Sequence, residues 1–228
     1  MFSKLNKRPP LVLIAVPCYD KVYAETATAV INLTKSQRYE SIVSFFRGGL
    51  IHRSRNTLAK LFLEHPTKPD YILFVDSDMV FKADALEQLM DDHKDIVTGN
   101  AFSRQFPVKP VVGTFDQSRP GRVIHLLDYK KDALQPIDSC GMAFTLISRN
   151  AMEKVGKRPF DFIFFPESDG ELPEDSAFCW RAKQAGLQVH LDSRVEVGHI
   201  GEYVYDERDF EASRPQLEEK LKEAGLPT

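Results

Sequence analysis

Six consecutive apolar residues, Leu11-Val-Leu-Ile-Ala-Val16, stopped by Pro17, constrain this fold more than any other feature. A continuous apolar run fits a strand covered on both faces, as in parallel sheets, whereas a half-exposed strand alternates. The run is far shorter than the ~20 residues that cross a bilayer, and no other window approaches that length, so membrane insertion is not expected. The segments that follow continue the pattern. Residues 20–35 read as an Ala-rich helix carrying Val22, Val30, Ile31 and Leu33. Ser41-Ile-Val-Ser-Phe-Phe46 reads as a second strand ending at Arg47-Gly48-Gly49. Residues 52–64 are helical again, with Ile51, Leu58, Leu61 and Phe62 on one face, and Tyr71-Ile-Leu-Phe-Val75 is a third strand. This β-α-β-α-β order predicts an α/β fold with a doubly wound sheet, whose ligands gather beyond the carboxyl ends of its strands.

The second half is less regular. Residues 95–98, 110–115, 122–127 and 143–148 are short strand candidates separated by Pro and Gly, and 148–155 looks helical. The stretch 159–171, with four Phe residues followed by Glu167, Asp169, Gly170 and Glu171, reads as a mobile loop. Pro173 opens a helix that Gly186 closes. From Leu187 the chain alternates, with Val189, Leu191, Val195 and Val197 on one face and His190, Asp192, Arg194 and Glu196 on the other. Residues 207–224 form a charged terminal helix. No repeat or linker interrupts the 228 residues, and a single domain is expected. A chain of this length needs no disulfide or zinc staple.

Thirty basic residues against 33 acidic ones leave a charge of −3, which gives no positive field for phosphate-backbone binding. Cys18, Cys140 and Cys179 are far apart and form no CxxC pair, which argues against a zinc knuckle or a redox dithiol. Lys4, Lys7 and Arg8 precede Pro9 with no apolar stretch of a secretion signal, so Asn32-Leu-Thr34 reads as a surface coincidence and a reducing cytoplasm is expected.

Asp76-Ser77-Asp78 follows the third strand, and residues two apart on a strand project to one side. Two such carboxylates repel unless a proton or a cation relieves them, and oxygen ligands favour Mg²⁺ or Mn²⁺. The plain alternative is a pair of solvated residues capping the next helix, which begins near Lys82. His199 follows Gly198 in register with Val197, on the inner face. Alone it is an ordinary core histidine; joined to two carboxylates it would shift the preference toward Mn²⁺. Pro173-Glu174-Asp175 lies in the first turn of a helix, where acidic residues suit the dipole and where an ionised Asp175 could also serve as a general base. Arg53, Arg55 and Asn56 open the second helix, either as a diphosphate anchor or as a solvated turn. Gly141 in Ser139-Cys-Gly-Met-Ala143 is a flexible point between two apolar strands.

Taken in order, these elements resemble a GT-A glycosyltransferase of the family 2-like superfamily, including relatives with a third metal-binding His. The match runs over residues 10–201: Val16-Pro-Cys-Tyr-Asp20, Arg55-Asn56, the DSD motif, Cys140-Gly-Met-Ala143, Pro173-Glu-Asp175 and His199. The resemblance implies a mixed, Rossmann-like GT-A sheet with helices on both faces. Residues 10–100 would form a nucleotide-sugar-binding half, 101–201 an acceptor half, and 202–228 a C-terminal helix. It implies a metal-dependent transfer from a UDP-sugar, or else a GDP-sugar, with Mn²⁺ or Mg²⁺ holding the diphosphate. Asp78 and His199 would ligate the metal. Asp76 would contact it through water or touch the ribose, with Ser77 beside it. Pro17, Tyr19 and Asp20 would flank the base, and Arg53, Arg55 and Asn56 would lie toward the diphosphate. Gly141 would face the transferred sugar. Glu174 and Asp175 would be catalytic, with Asp175 the base if configuration inverts. Where many members carry an Asp-Gly-Ser type turn that recognises uracil, this chain reads Phe46-Arg-Gly-Gly-Leu50.

Two other readings compete: a non-catalytic nucleotide- or sugar-binding module on the same scaffold, and a nucleotidyltransferase. The second wants a glycine-rich basic loop after the first strand, and Pro17-Cys-Tyr-Asp20 offers none. P-loop, HExxH and GxSxG motifs are absent. The acceptor is a glycan, a protein, a small molecule or a modified DNA base. Phe162, Phe164, Phe165, Glu167, Asp169 and Trp180 are candidate contacts, and Lys4, Lys7, Arg8, Arg104 and Lys109 are a candidate basic patch for DNA.

Overall fold

The computed structural model describes residues 8–201 and 203–227; Lys4 and Lys7 lie outside them. The first half follows the expected order: β1 (Leu11–Cys18), α1 (Ala24–Leu33), β2 (Glu40–Arg47), α2 (Ile51–Glu64) and β3 (Tyr71–Val75). β1 pairs in parallel with both β2 and β3, and its side chains are covered on each face by a helix. Val12, Ile14 and Val16 point into one core layer with Val30 and Leu33 of α1. Leu13 and Ala15 point into the other with Leu58, Ala59 and Phe62 of α2. That two-sided burial is why the run is unbroken rather than alternating. Truncating fully buried Phe62 to Ala would cost about 3–5 kcal/mol.

After β3 the chain departs from expectation. A three-residue strand, β4 (Met79–Phe81), precedes α3 (Ala85–Asp91), so the helix expected near Lys82 begins later. β5 (Ile96–Ala101), β6 (Val112–Phe115), β7 (Val123–His125), β8 (Leu134–Ile137), β9 (Ser139–Cys140) and β10 (Phe144–Ser148) follow. Then come α4 (Arg149–Val155), β11 (Ile163–Phe165), β12 (Gly170–Leu172) and α5 (Glu174–Gln184). β13 (Val189–Ile200), β14 (Val204–Tyr205) and α6 (Glu207–Glu223) complete the chain. The main sheet runs β14-β13-β5-β10-β3-β1-β2, with β10 antiparallel to both neighbours and β13 parallel to β5. The segment expected as a loop is a β11–β12 hairpin instead. Its Phe165 stacks edge-on against Trp180, which also meets Phe115, while Phe164 is exposed.

β13 is one long strand that, besides β5 and β14, pairs with two short strands. Its first part pairs with β8 and its last residues pair with β4. Between them the register against β5 shifts from Asp192 to Glu196. This irregularity corrects the expected alternation: Asp192 is fully buried rather than outward, its carboxylate matched by Arg194 Nε at 2.7 Å. α5 ends as anticipated, with Gly186 at φ +75°, a left-handed conformation that favours glycine. No helix among the described residues is long and apolar enough to cross a membrane.

Candidate functional site

Asp76, Ser77 and Asp78 form a turn between β3 and β4, not a strand extension, so alternation is not what aims them. The turn is tied by backbone bonds instead. Asp76 N–H donates to Ala143 O at 3.0 Å, and Tyr23 N–H to Ser77 O at 3.0 Å. Ile200 N–H donates to Asp78 O at 2.7 Å. The β4–β13 ladder sets Met79 opposite His199, which carries the imidazole to Asp78 across 121 residues of sequence, 199 − 78. His199 Nε2 lies 3.4 Å from Asp78 Oδ2, and both side chains are mostly buried. His199 Nδ1 donates to Phe102 O at 2.8 Å. A carbonyl can only accept, so Nδ1 carries a hydrogen and Nε2 is the nitrogen turned toward the carboxylate.

A cavity of about 590 Å³ opens beyond the carboxyl ends of β1 and β3, lined by Asp76, Ser77, Asp78 and His199 together with Pro17 and Tyr19. Gly48 and Gly49 form part of its wall. A Cβ on Gly48 would stand 2.4 Å from Ser54 Oγ, so any larger residue in the turn from β2 into α2 requires Ser54 to move. Residues not singled out from sequence also line it: Cys18, Leu50, Ile51 and His52, with Phe162 edge-on to His52 at 5.1 Å. Arg104, weighed before only for a basic patch, donates through Nη1 to Asp78 Oδ2 at 2.6 Å. No local pattern marks Arg104; its role depends on the path of the chain after β5.

Other expected residues lie elsewhere. Arg55 is 3% exposed and does not line the cavity. Its Nη2 donates to Asp76 Oδ1 at 2.7 Å and its Nη1 to Glu174 Oε1. It is therefore a buried bridge between the DSD turn and the first turn of α5, in place of an open diphosphate anchor. Burial opposes its charge, but Asp76, Glu174 and Asp175 outweigh that and hold its pKa up. Asn56 is spent on Asp161 Oδ1 and Phe160 N–H, Arg53 is exposed, and neither Arg53, Asn56 nor Asp20 lines the cavity. Glu174 is the partner of Arg55, and its pKa is raised chiefly by burial.

Asp175 and Gly141 line a second, smaller cavity of about 250 Å³. Asp175 Oδ1 accepts from Ser176 N–H at 2.6 Å, and a Cβ on Gly141 would lie 3.9 Å from Asp175 Oδ2. Burial raises the Asp175 pKa, while Arg55 pulls it down. Thr145 Oγ1 donates to Gly141 O at 3.0 Å and fixes the glycine loop on the wall of the smaller cavity. Among the described residues, no three His, Cys, Asp or Glu side chains gather as a metal-holding group, and Asp76 is engaged by Arg55.

No protein-family model and no curated protein matches the chain. Among solved structures it is similar to A197 from STIV, with 19% identity and TM-score 0.55 over 84% of this chain and 86% of that one. It also aligns with the inositol-1-phosphate CTP transferase from T. maritima, at 12% identity and TM-score 0.46 over 97% and 98% of the two chains. A third alignment is with the catalytic domain of Drosophila beta1,4galactosyltransferase 7 in complex with xylobiose, at 15% identity and TM-score 0.48 over 80% and 65%. The similarity to A197 speaks to fold alone. It agrees with the α/β architecture described above, a mixed central sheet with helices on both faces.

Proposed function

We propose that this chain is a metal-dependent glycosyltransferase that moves a sugar from a nucleotide-diphosphate donor to a hydroxyl acceptor. One observation carries the reading: His199 Nε2 and Asp78 Oδ2 face each other at 3.4 Å on the wall of a nucleotide-sized cavity. An imidazole nitrogen and a carboxylate oxygen so placed can share a cation, a charge that the Arg104 guanidinium supplies to Asp78 Oδ2 when no ion is there. The pair suits Mn²⁺ or Mg²⁺, with the other coordination positions left to diphosphate oxygens and water. A bound ion would offset charge on the departing diphosphate. Asp78 and His199 would hold it, His199 oriented by its bond to Phe102 O. Asp76, fixed by Arg55, keeps a second oxygen for the donor. Pro17, Tyr19 and the His52–Phe162 pair offer surfaces for the base. Ionised Asp175 would take the proton from the attacking hydroxyl if configuration inverts.

Thermal unfolding with Mn²⁺ and UDP, GDP, ADP, TDP or CMP tests this. At 100 Kd one ligand adds about 2.7 kcal/mol, a shift of several degrees at this size. Asp78→Ala should fold, lose the Mn²⁺-dependent part of the shift, and stop slow hydrolysis of the matching nucleotide-sugar. No shift with any nucleotide and no diphosphate release would overturn the reading.

A further inference from the structure

The 250 Å³ cavity holds a histidine that the reading above leaves unused. His125, on β7, lines it together with Asp175, Glu171 and Gly141. Its Nδ1 lies 3.1 Å from Pro110 O, and since a carbonyl only accepts, Nδ1 must carry the hydrogen. Burial, assisted by the charge of Lys109, pushes its pKa down to about 4, so the ring is neutral near pH 7. Nε2 is then a bare acceptor, and no protein donor reaches it among the described residues. Of the two hydroxyls on its wall, Ser139 Oγ donates to Ser176 Oγ at 3.0 Å, and the Ser176 side chain in turn bonds the Asp175 carboxylate. The pocket thus presents acceptors: the Asp175 and Glu171 carboxylates and the His125 nitrogen. Val111 and Val123 supply apolar wall.

One side is built by the β11–β12 hairpin, which is fixed rather than free. Ser168 Oγ donates to Pro120 O at 2.6 Å, and a Cβ on Gly170 would stand 2.2 Å from that same oxygen. The volume falls below the roughly 300–1,000 Å³ of pockets that take drug-sized ligands. It holds about eight waters at ~30 Å³ each. A ligand matching this lining brings several hydroxyl donors and an apolar face within one ring.

We propose that this pocket is a subsite for a single sugar ring or small cyclic polyol, in which His125 Nε2 accepts a hydrogen bond from one ligand hydroxyl while Asp175 accepts from another. The proposal rests on the transferase reading and names the acceptor class for it. A longer glycan enters by its terminal ring, and a flat aromatic base with few donors is disfavoured.

The test is nitrogen-15 NMR of the histidine rings during titration with methyl glycosides of common hexoses and pentoses and with inositol. The free protein should show a protonated Nδ1 and a bare Nε2 at His125 near neutral pH. At least one ligand should move the His125 Nε2 signal and leave His199 in place. His125→Phe should weaken that ligand about tenfold or more, the loss of one well-made bond in a buried site. His125→Gln, whose amide oxygen accepts, should recover most of it. Both variants should keep the Mn²⁺–nucleotide thermal shift. If no ligand moves His125, or His125→Phe binds as wild type does, the subsite is overturned. A retained nucleotide shift then leaves the transferase reading standing, whereas loss of both in the wild type removes both. Should His125→Phe fail to fold, the wild-type titration decides.

Discussion

Arg55 concentrates the electrostatics of the candidate site. Its guanidinium, with 4% of the side chain exposed, neutralises two carboxylates from distant segments, Asp76 and Glu174. Replacing it by Met, of similar length and without charge, leaves those carboxylates uncompensated, at a cost of about 3–5 kcal/mol. The loss depends on pH with a definite sign. Without Arg55 the pKa values of Glu174 and Asp175 rise further, since the guanidinium lowers both. The variant's deficit should therefore narrow as acid protonates them, so thermal melts from about pH 8 toward pH 5 should converge on wild type. A constant gap would show that Arg55 acts by packing alone. The same charge sets the base. With Asp175 raised by burial, the acid limb of sugar transfer should lie above the usual aspartate value near 3.9. Asp175→Asn should abolish transfer while nucleotide binding persists; transfer at wild-type rate would remove Asp175 as base.

Between elements, the site depends on two turns. The β2–α2 turn brings Gly48 against Ser54, and Gly48→Ala should destabilise the protein by ~1–3 kcal/mol and weaken nucleotide binding. Ser54→Ala removes the hydroxyl oxygen that the new methyl would meet. The double variant should then recover a large part of the loss, giving a coupling of 0.5 kcal/mol or more, by an order-of-magnitude rule for touching residues. Simple additivity in denaturant melts would refute the steric account. The second turn shows where sequence reasoning stops. β1 and β3 are legible because a strand buried on both faces leaves a continuous apolar run, and Gly186 is legible because it closes a helix. β4 is not: three residues carry no period, and their strand character comes from pairing with β13. The meeting of Asp78 with His199 was anticipated from motif order, yet the β4–β13 ladder that produces it was hidden. Arg55 and Asn56 show the converse limit. Their positions in the helix were readable, but their partners, Glu174 and Asp161, lie 119 and 105 residues away.

At the scale of the whole molecule, a further strained charge cluster lies away from both cavities, where the end of α3 meets the irregular stretch of β13. Asp92 and Asp192 have side chains only 4% and 0% exposed, and both rely on Arg194, at 2.5 and 2.7 Å. Asp92 Oδ2 is buried with no hydrogen-bond partner. Burial first, then the Asp192 charge, raises the Asp92 pKa to about 6, with Arg194 opposing. A carboxyl whose folded pKa exceeds its unfolded value stabilises the fold below the unfolded value, and that contribution disappears as pH rises through about 6. At neutral pH the protein therefore carries an ionised Asp92 that it would hold better neutral. Asp92→Asn keeps the shape, removes the repulsion and leaves Arg194 its bonds to Asp192. An elevation of this size is worth about 3 kcal/mol at most, and solvent around half-exposed Arg194 reduces the expected gain to ~1–2 kcal/mol. Melts at pH 7.5 should then show Tm higher by roughly 3–6 °C. The advantage should shrink through pH 6 and vanish near pH 4, where wild-type Asp92 is already protonated. A variant destabilised at pH 7.5, or raised equally at every pH, would mean that Arg194 fully compensates both carboxylates.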